Sequence, residues 1–420
     1  MSTGNIYDIA VIGGGAAGLS AAIFACREGR RRGRSPSVIV LEKGARVGRK
    51  LLSTGNGTCN LANVDASPAH YHGENPTFVE PALKRMPAEE MLRFFSSLGV
   101  ECAARENGRV YPLCLQAGAV LDCLRLELLA DGAEERCGTA VTALRREGGG
   151  FALAAGEEII GARRVLVCAG GAASPALGGS ADGYTLLSEL GHSRVPLFPS
   201  IVQVRTDPAL VKAVKGVRVE GRIAFRLEGR ELCAQEGEVL FTDYGLSGPA
   251  VMQISRCVGD WERKKRGRMT AVLDLLPGFT KEQVETLLLR RRELKERTLE
   301  NYLTGFVNKR LGQTLLKAAG LTPPTLPVQT LTHRDIEKLA GFMKGWELSV
   351  TGTQGFGGAQ VTAGGISTAE FDPGTLESRL APGLYAAGEV LDIDGDCGGF
   401  NLHWAWASAR LAAESMVESL

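Results

Sequence analysis

Gly13-Gly14-Gly15-Ala16-Ala17-Gly18 constrains this chain more than any other feature. The six residues follow a short β-rich run, Ile6 to Ile12, and precede an Ala-rich stretch, Leu19 to Glu28, that reads as a helix. Glycines at 13, 15 and 18 fit G-x-G-x-x-G: the first permits a tight turn, the second lets a pyrophosphate approach the backbone, and the third lets helix and strand pack closely. The Ala16 and Ala17 amides and the positive helix end then face phosphates. Three close glycines can also be a plain turn, so context decides. A second apolar strand, Ser37 to Leu41, ends at Glu42, which lies 24 residues beyond Gly18, about where a ribose-binding acid belongs. A carboxylate there accepts from ribose hydroxyls and repels a 2′-phosphate, which points to the adenosine half of FAD or NAD rather than NADP.

With 48 Lys plus Arg against 47 Asp plus Glu among 420 residues, the net charge of +1 excludes a global polycation or polyanion. The 54 glycines are roughly double average usage and lack a triplet period, so they serve local backbone geometry. No apolar run approaches the roughly 20 residues needed to span a bilayer, and Met1 to Tyr7 lacks the features of a signal peptide; a cytoplasmic address with no membrane partner is the expectation. Ten cysteines contain no C-x-x-C pair, and the five histidines form no metal spacing, so no metal is expected.

Gly48-Arg49-Lys50-Leu51-Leu52-Ser53-Thr54-Gly55-Asn56-Gly57-Thr58-Cys59-Asn60 resembles the G-R-K-L-L-x-S-G-x-G-R-C-N signature of the BaiN-like, or aminoacetone-oxidase-type, NAD(P)/FAD-dependent flavoproteins. Their nucleotide domain is of the glutathione-reductase type, in its fumarate-reductase-like branch. Further matching pieces are Gly108 to Pro112, Val165 to Gly171, Phe241 to Pro249, Val350 to Phe356, Gln360 to Ile366 and the stretch from Gly388 to Trp406. The resemblance implies FAD as cofactor and extends the contacts beyond Gly13, Gly15, Ala16, Ala17, Gly18 and Glu42. It adds Lys43, then Arg49, Lys50, Gly55, Gly57, Cys59 and Asn60 in the signature loop, Val141, and Ala169, Gly170 and Gly171 after a buried strand. Near the C-terminus it adds Gly388 and Glu389 beside the ribityl and pyrophosphate, and Gly399, Phe400, Asn401 and Leu402 at the start of a helix running to Glu418. Free amides there would favour the charge that reduction places on the flavin pyrimidine ring. Thr58 departs from the Arg of the signature, and Cys59 reads as a small buried apolar side chain.

Between Arg194 and Gly345 the glycine signatures stop. Ile201 to Arg205, Val217 to Leu227 and Glu238 to Thr242 alternate apolar and polar residues, which predicts an antiparallel sheet or small barrel. Thr280-Lys281-Glu282-Gln283 is a capping-box start before a helix over Val284 to Glu300, and Thr332 to Met343 reads as another helix. The expected fold is therefore α/β: a Rossmann-type FAD-binding domain in two parts, 1–193 and 348–420. An inserted β domain (194–279, returning over 323–347) and a helical subdomain (280–322) lie between them.

The function expected is hydride transfer between flavin N5 and a small organic substrate held at the domain junction. The resemblance implies either amine oxidation or reduction of a carbon–carbon double bond. No second complete strand, G-x-G-x-x-G and helix unit exists, so NAD(P)H would be a transient visitor. Tyr111, Arg109, Asn56 and His403 are the catalytic candidates by their place in matching motifs, each equally readable as packing or capping, with His403 either a proton donor or a helix-surface side chain. The basic runs Arg263 to Arg268 and Arg290 to Arg292 raise an RNA-modifying enzyme as an alternative, but interleaved acids favour solvated helix faces, so nucleic acid is not the expected partner. A non-catalytic FAD-binding sensor is the other alternative.

Overall fold

The computed structural model describes residues 6–420, which divide into two compact units: one reaching to Phe198 and resuming over Gln360–Leu420, the other Pro199–Ala359. In the first unit, β1 (Ile6–Ile12), β2 (Val38–Leu41), β3 (Glu134–Arg136), β4 (Ala143–Glu147), β5 (Gly150–Ala155), β6 (Glu158–Val167) and β7 (Leu384–Ala386) form one sheet. Its order is β3-β2-β1-β6-β5-β4, and β7 pairs with the end of β6. The strands β3, β2, β1, β6 and β7 run parallel, while β5 pairs antiparallel with β6 and β4 antiparallel with β5. Sequences such as Val38-Ile39-Val40-Leu41 are buried throughout, as a parallel sheet covered on both faces requires.

Two helices set the position of the site. The first, Ala16–Arg31, is rich in alanine on its buried side and ends on Arg30 and Arg31, whose charge suits the negative helix end. The C-terminal helix, Phe400–Glu418, is buried on most of its surface, including Trp404, Trp406, Ala407 and Ala409. The Trp406 indole donates to the Leu61 carbonyl at 3.0 Å and the Trp404 indole to that of Gly388 at 3.1 Å, so the bulky side chains are hydrogen-bonded as well as packed.

The second unit holds a closed barrel of Val204–Thr206, Gly245–Ser247, Arg230–Phe241, Arg218–Leu227, Met269–Asp274 and Trp346–Thr353. The helices Lys281–Arg292, Lys309–Ala318 and His333–Lys344 share one apolar core with it. Thr280 makes the expected capping box with Gln283. The helix stops at Arg292 rather than Glu300, because Arg291 folds back to donate to the carbonyls of Tyr302 and Thr304 and a new capping box starts at Thr298. The strand expected from Ile201 begins only at Val204, since Ile201 has φ 49° and cannot pair. Cys233 and Cys257, 24 residues apart, bring their Sγ atoms to 2.7 Å, a pairing that no sequence spacing announces. Two of the three arginines in the basic run 290–292 are spent on carbonyls, Arg291 as above and Arg292 on Leu331.

Candidate functional site

The carboxyl ends of β1, β6 and β7 meet: Cys168 N–H donates to Ile12 O at 2.8 Å and Ala387 N–H to Val167 O at 3.1 Å. Such a convergence is where parallel α/β sheets bind ligands. Each glycine of the first turn has a separate task. A Cβ on Gly18 would lie 1.8 Å from Gly13 O, so helix and turn touch there; Gly13 has φ 109° and backs onto Cys168 O. A Cβ on Gly15 would meet nothing within 4 Å, and the same holds for Gly170 after β6. Those two positions face open space. No side chain caps the first helix, whose leading residues are Ala16 and Ala17.

Glu42 accepts from the Gly14 amide at 2.9 Å and the Gly44 amide at 2.6 Å, which fixes its carboxylate at the end of β2 with lone pairs to spare. Thr139 N–H donates to Glu42 O and Gly138 N–H to Gly44 O, so the segment leading to Val141 lies against the same turn. Lys43 pairs with Asp182 at 2.8 Å, and Arg49 donates to Ala176 O. Lys50 closes on Glu389 at 2.7 Å, while the other Glu389 oxygen accepts from Thr362 N–H at 2.9 Å. A Cβ on Gly171 would meet that Glu389 oxygen at 2.7 Å. The signature loop, the end of β6 and the Gly388-Glu389 turn are thereby brought together. Gly388 N–H donates to Ser408 Oγ, and its Cβ position lies 3.3 Å from Ala17, tying the turn to both helices.

The start of the C-terminal helix has no side-chain cap, and Gly399 enters it with φ 100°. A Cβ there would strike Ala62 O at 2.3 Å and Asn60 Oδ1 at 2.7 Å. Asn60 Oδ1 is buried without a hydrogen-bond partner. Asn401 spends its side-chain amide on Gly395 N–H and on Gly395 O, both at 2.8 Å. Cys59 is fully buried and burial pushes its thiol up to about 11, so it is inert at neutral pH. His403 is also fully buried, with Nε2 at 2.9 Å from Met86 O, and burial lowers its pKa. The helix-surface reading of His403 is therefore corrected: the helix is covered on the face that carries it.

An open cleft of about 630 Å3 lies beside the loop, lined by Thr58, Arg105, Asn107, Arg109, Tyr111 and Leu115, all in the first unit. A Cβ on Gly55 would sit 3.5 Å from the Tyr111 ring, and one on Gly398 3.5 Å from Arg109 Nε, so the cleft reaches from the signature loop to the start of the C-terminal helix. Asn56, Cys59, Asn107 and Leu115 all have φ between 54° and 64°, a conformation costly for residues with a Cβ. Strain of that kind concentrates at functional sites, and here Asn107 and Leu115 line the cleft while Asn56 and Cys59 stand on either side of its Thr58 in the chain. Asn63 was missed from the sequence. It is buried in the two-residue strand Ala62–Asn63, and its Nδ2 donates to Gly398 O at 2.9 Å and Asn107 O at 3.3 Å. Asn63→Ala removes the buried donor to the Gly398 carbonyl and is expected to cost about 1–3 kcal/mol; urea unfolding of variant and parent checks this.

A family model described as "HI0933-like protein Rossmann domain" matches residues 7–415. The chain belongs to the HI0933-like family. Among relatives of this HI0933-like chain, a protein of Clostridium scindens named 3-dehydro-bile acid delta(4,6)-reductase is 38% identical over 98% of this chain and 99% of its own length. The ribosomal RNA dihydrouridine synthase of Escherichia coli is 30% identical over 98% of each. The fold is shared with the 3-ketosteroid delta1-dehydrogenase of Sterolibacterium denitrificans, at TM-score 0.52 and 14% identity, covering 99% of this chain and 100% of that one. The HI0933-like chain is thus a flavoprotein that binds FAD and an oxidoreductase that moves a hydride between the flavin and an organic substrate. The residues present fit the cofactor, with open space at Gly15 and Gly170, two uncapped helix starts and the orphaned Asn60 oxygen. No helix among the described residues is long and apolar enough to cross a membrane.

Proposed function

We propose that this flavoenzyme reduces a carbon–carbon double bond conjugated to a carbonyl, in a small organic molecule that occupies the cleft of Arg105, Arg109 and Tyr111. The observation that carries the reading is the position of that cleft, bounded by Gly55 on one side and Gly398 on the other. When bound, the flavin supplies hydride transfer at N5. The chain's residues do the rest. Gly15 and the Ala16 and Ala17 amides receive the pyrophosphate, with Gly18 packing the helix on the turn that presents them, Glu42 receives the adenosine ribose, and Glu389, held by Lys50, the ribityl chain. Gly55, Gly57 and Asn60 border the ring, and the amides of Phe400, Asn401 and Leu402 stabilise negative charge at its pyrimidine end. Lys43 and Arg49, turned to Asp182 and Ala176, have a weaker claim on the cofactor.

Tyr111 is the group in the cleft suited to polarise the carbonyl and return a proton, since it is half-buried, lines the cleft and has its ring beside Gly55 of the loop. Asn56, exposed between Gly55 and Gly57, stands at the rim and serves positioning. His403 cannot touch substrate from the core and has no part in the step. NADH or NADPH is the donor in this reading, visiting the same open face.

Two relatives support the choice of double bond over amine. One is named for reducing a bile acid double-bond system and the other for making dihydrouridine, and in both the reacting bond is conjugated to a carbonyl. The second relative also makes a uridine in RNA the second reading of the substrate. The test is anaerobic: the holoprotein is reduced with NADH or NADPH, then mixed with enones, uridine-bearing RNA or amines, and reoxidation is followed by flavin absorbance. Reoxidation by enones with none by RNA is the expected result. Oxidised enzyme bleached by amines, with no enone reactivity, overturns it. Tyr111→Phe is expected to slow enone-dependent reoxidation by about 100-fold while FAD stays bound.

A further inference from the structure

The cleft holds two cations that have no counter-ion among the described residues. Among the described residues no carboxylate lies within ion-pair distance of Arg105 or Arg109. Other arginines of the chain close on acids, as Arg27 does on Glu127, Arg85 on Glu414 and Arg125 on Glu135, or on carbonyls, as Arg49 and Arg291 do. Arg105 instead lies over the Tyr111 ring, 5.4 Å from its centroid. Arg109 is half-buried beside Gly398, where its charge partly offsets the rise that burial imposes on the Cys397 thiol. Two like charges lining one cavity repel, and the partly buried one also pays desolvation, unless an anion joins them. Guanidinium forks match oxyanions in geometry as well as charge.

We propose that the substrate of this cleft carries a carboxylate, bound by Arg105 and Arg109 with help from the Asn107 amide, while its apolar body lies along Tyr111 and Leu115. A free small-molecule anion fits better than a nucleic-acid backbone. The cations are two, gathered at one cavity, whereas phosphate-backbone binding needs a track of them. The stacking of Arg105 on Tyr111 adds a wall that is cationic on one side and aromatic on the other, suited to a flat ring system with one charged substituent. This inference rests on the reading of the cleft as the substrate site, and it adds what that reading leaves open, the charge of the substrate.

The experiment is a calorimetric titration of the FAD-loaded protein at low ionic strength with 2-naphthoate and with 2-naphthamide, its neutral isostere. Neither can be reduced by the flavin, so the result is independent of the enone chemistry. Naphthoate is expected to bind at least about tenfold more tightly than the amide. Arg105→Gln and Arg109→Gln each diminish that preference, and the double variant binds the two ligands equally, with the flavin absorbance of the parent retained. Equal affinities in the parent, no binding of either probe, or a preference that survives in the double variant each overturn the proposal. Uridine monophosphate binding more tightly than naphthoate through the same arginines also overturns it, in favour of a phosphate. An enone turned over equally well with and without a carboxylate would sink the charge assignment and leave the reduction standing; arginine-dependent naphthoate binding without enone turnover would do the reverse.

Discussion

Replacing Gly15 with valine is expected to give a folded but colourless protein, whereas the same change at Gly18 is expected to abolish folding. The two positions are three residues apart in one motif, and the difference lies in what each Cβ would meet. Gly15 sits in extended backbone, φ −85° and ψ −167°, which any residue adopts, and its Cβ would point into open space. Valine there costs the fold little, but its methyls fill the volume that the pyrophosphate needs. FAD affinity should fall by about 100-fold or more, equivalent to about 2.7 kcal/mol. At Gly18 the Cβ would lie 1.8 Å from Gly13 O, inside the backbone contact between helix and turn, and the expected loss is about 4 kcal/mol or more. Thermal melting of the flavin-free proteins and quenching of FAD fluorescence on binding separate the two effects. If the Gly15 variant binds FAD like the parent, the pyrophosphate is not at this helix start.

That contrast also shows what the amino-acid sequence made legible. The turn at Gly13 to Gly18 and the acid at Glu42 are local patterns with fixed spacing, and β1, the first helix and β2 follow them closely. Thr280 was equally readable, because a capping box is decided within four residues. The cleft was not. Its walls come from Thr58 and from a separate segment, 105–115, joined through Asn63 in a strand of two residues, too short to show any alternation. The signal that existed was the cluster of Arg105, Arg109 and Tyr111 on one short stretch, of which only Arg109 and Tyr111 fall within a matching motif. His403 was misjudged for another reason. The run Trp404-Ala405-Trp406-Ala407 is apolar without an amphipathic gap, which is the mark of a helix covered on every side, and a histidine inside it is buried too.

The burial of His403 and His192 predicts how stability depends on pH. His192 is buried against Phe371, and its burial outweighs the hydrogen bond its Nδ1 makes to Glu370 at 3.0 Å; its Nε2 meets Ser378 Oγ at 2.9 Å. His403 has only the Met86 carbonyl at one nitrogen, and its Nδ1 is unpartnered. Both pKa values lie below the ordinary 6.5, so the folded chain refuses protons that the unfolded chain takes up. Stability is therefore whole above about pH 6.5 and falls as the pH drops toward the folded values. Each histidine contributes a slope of up to about 1.4 kcal/mol per pH unit, so the pair contributes up to about 2.7. Glu28 acts in a lower window: hydrogen bonding by Arg31 outweighs its burial and, with Arg32, holds its carboxyl near 2, so its contribution begins to fade only below about 4.5. Urea unfolding of the holoprotein between about pH 7.5 and 5 should show the histidine slope before any carboxylate titrates, and His192→Gln should remove about half of it. A flat profile across that interval would mean that both rings are charged in the folded chain, against the burial that encloses them.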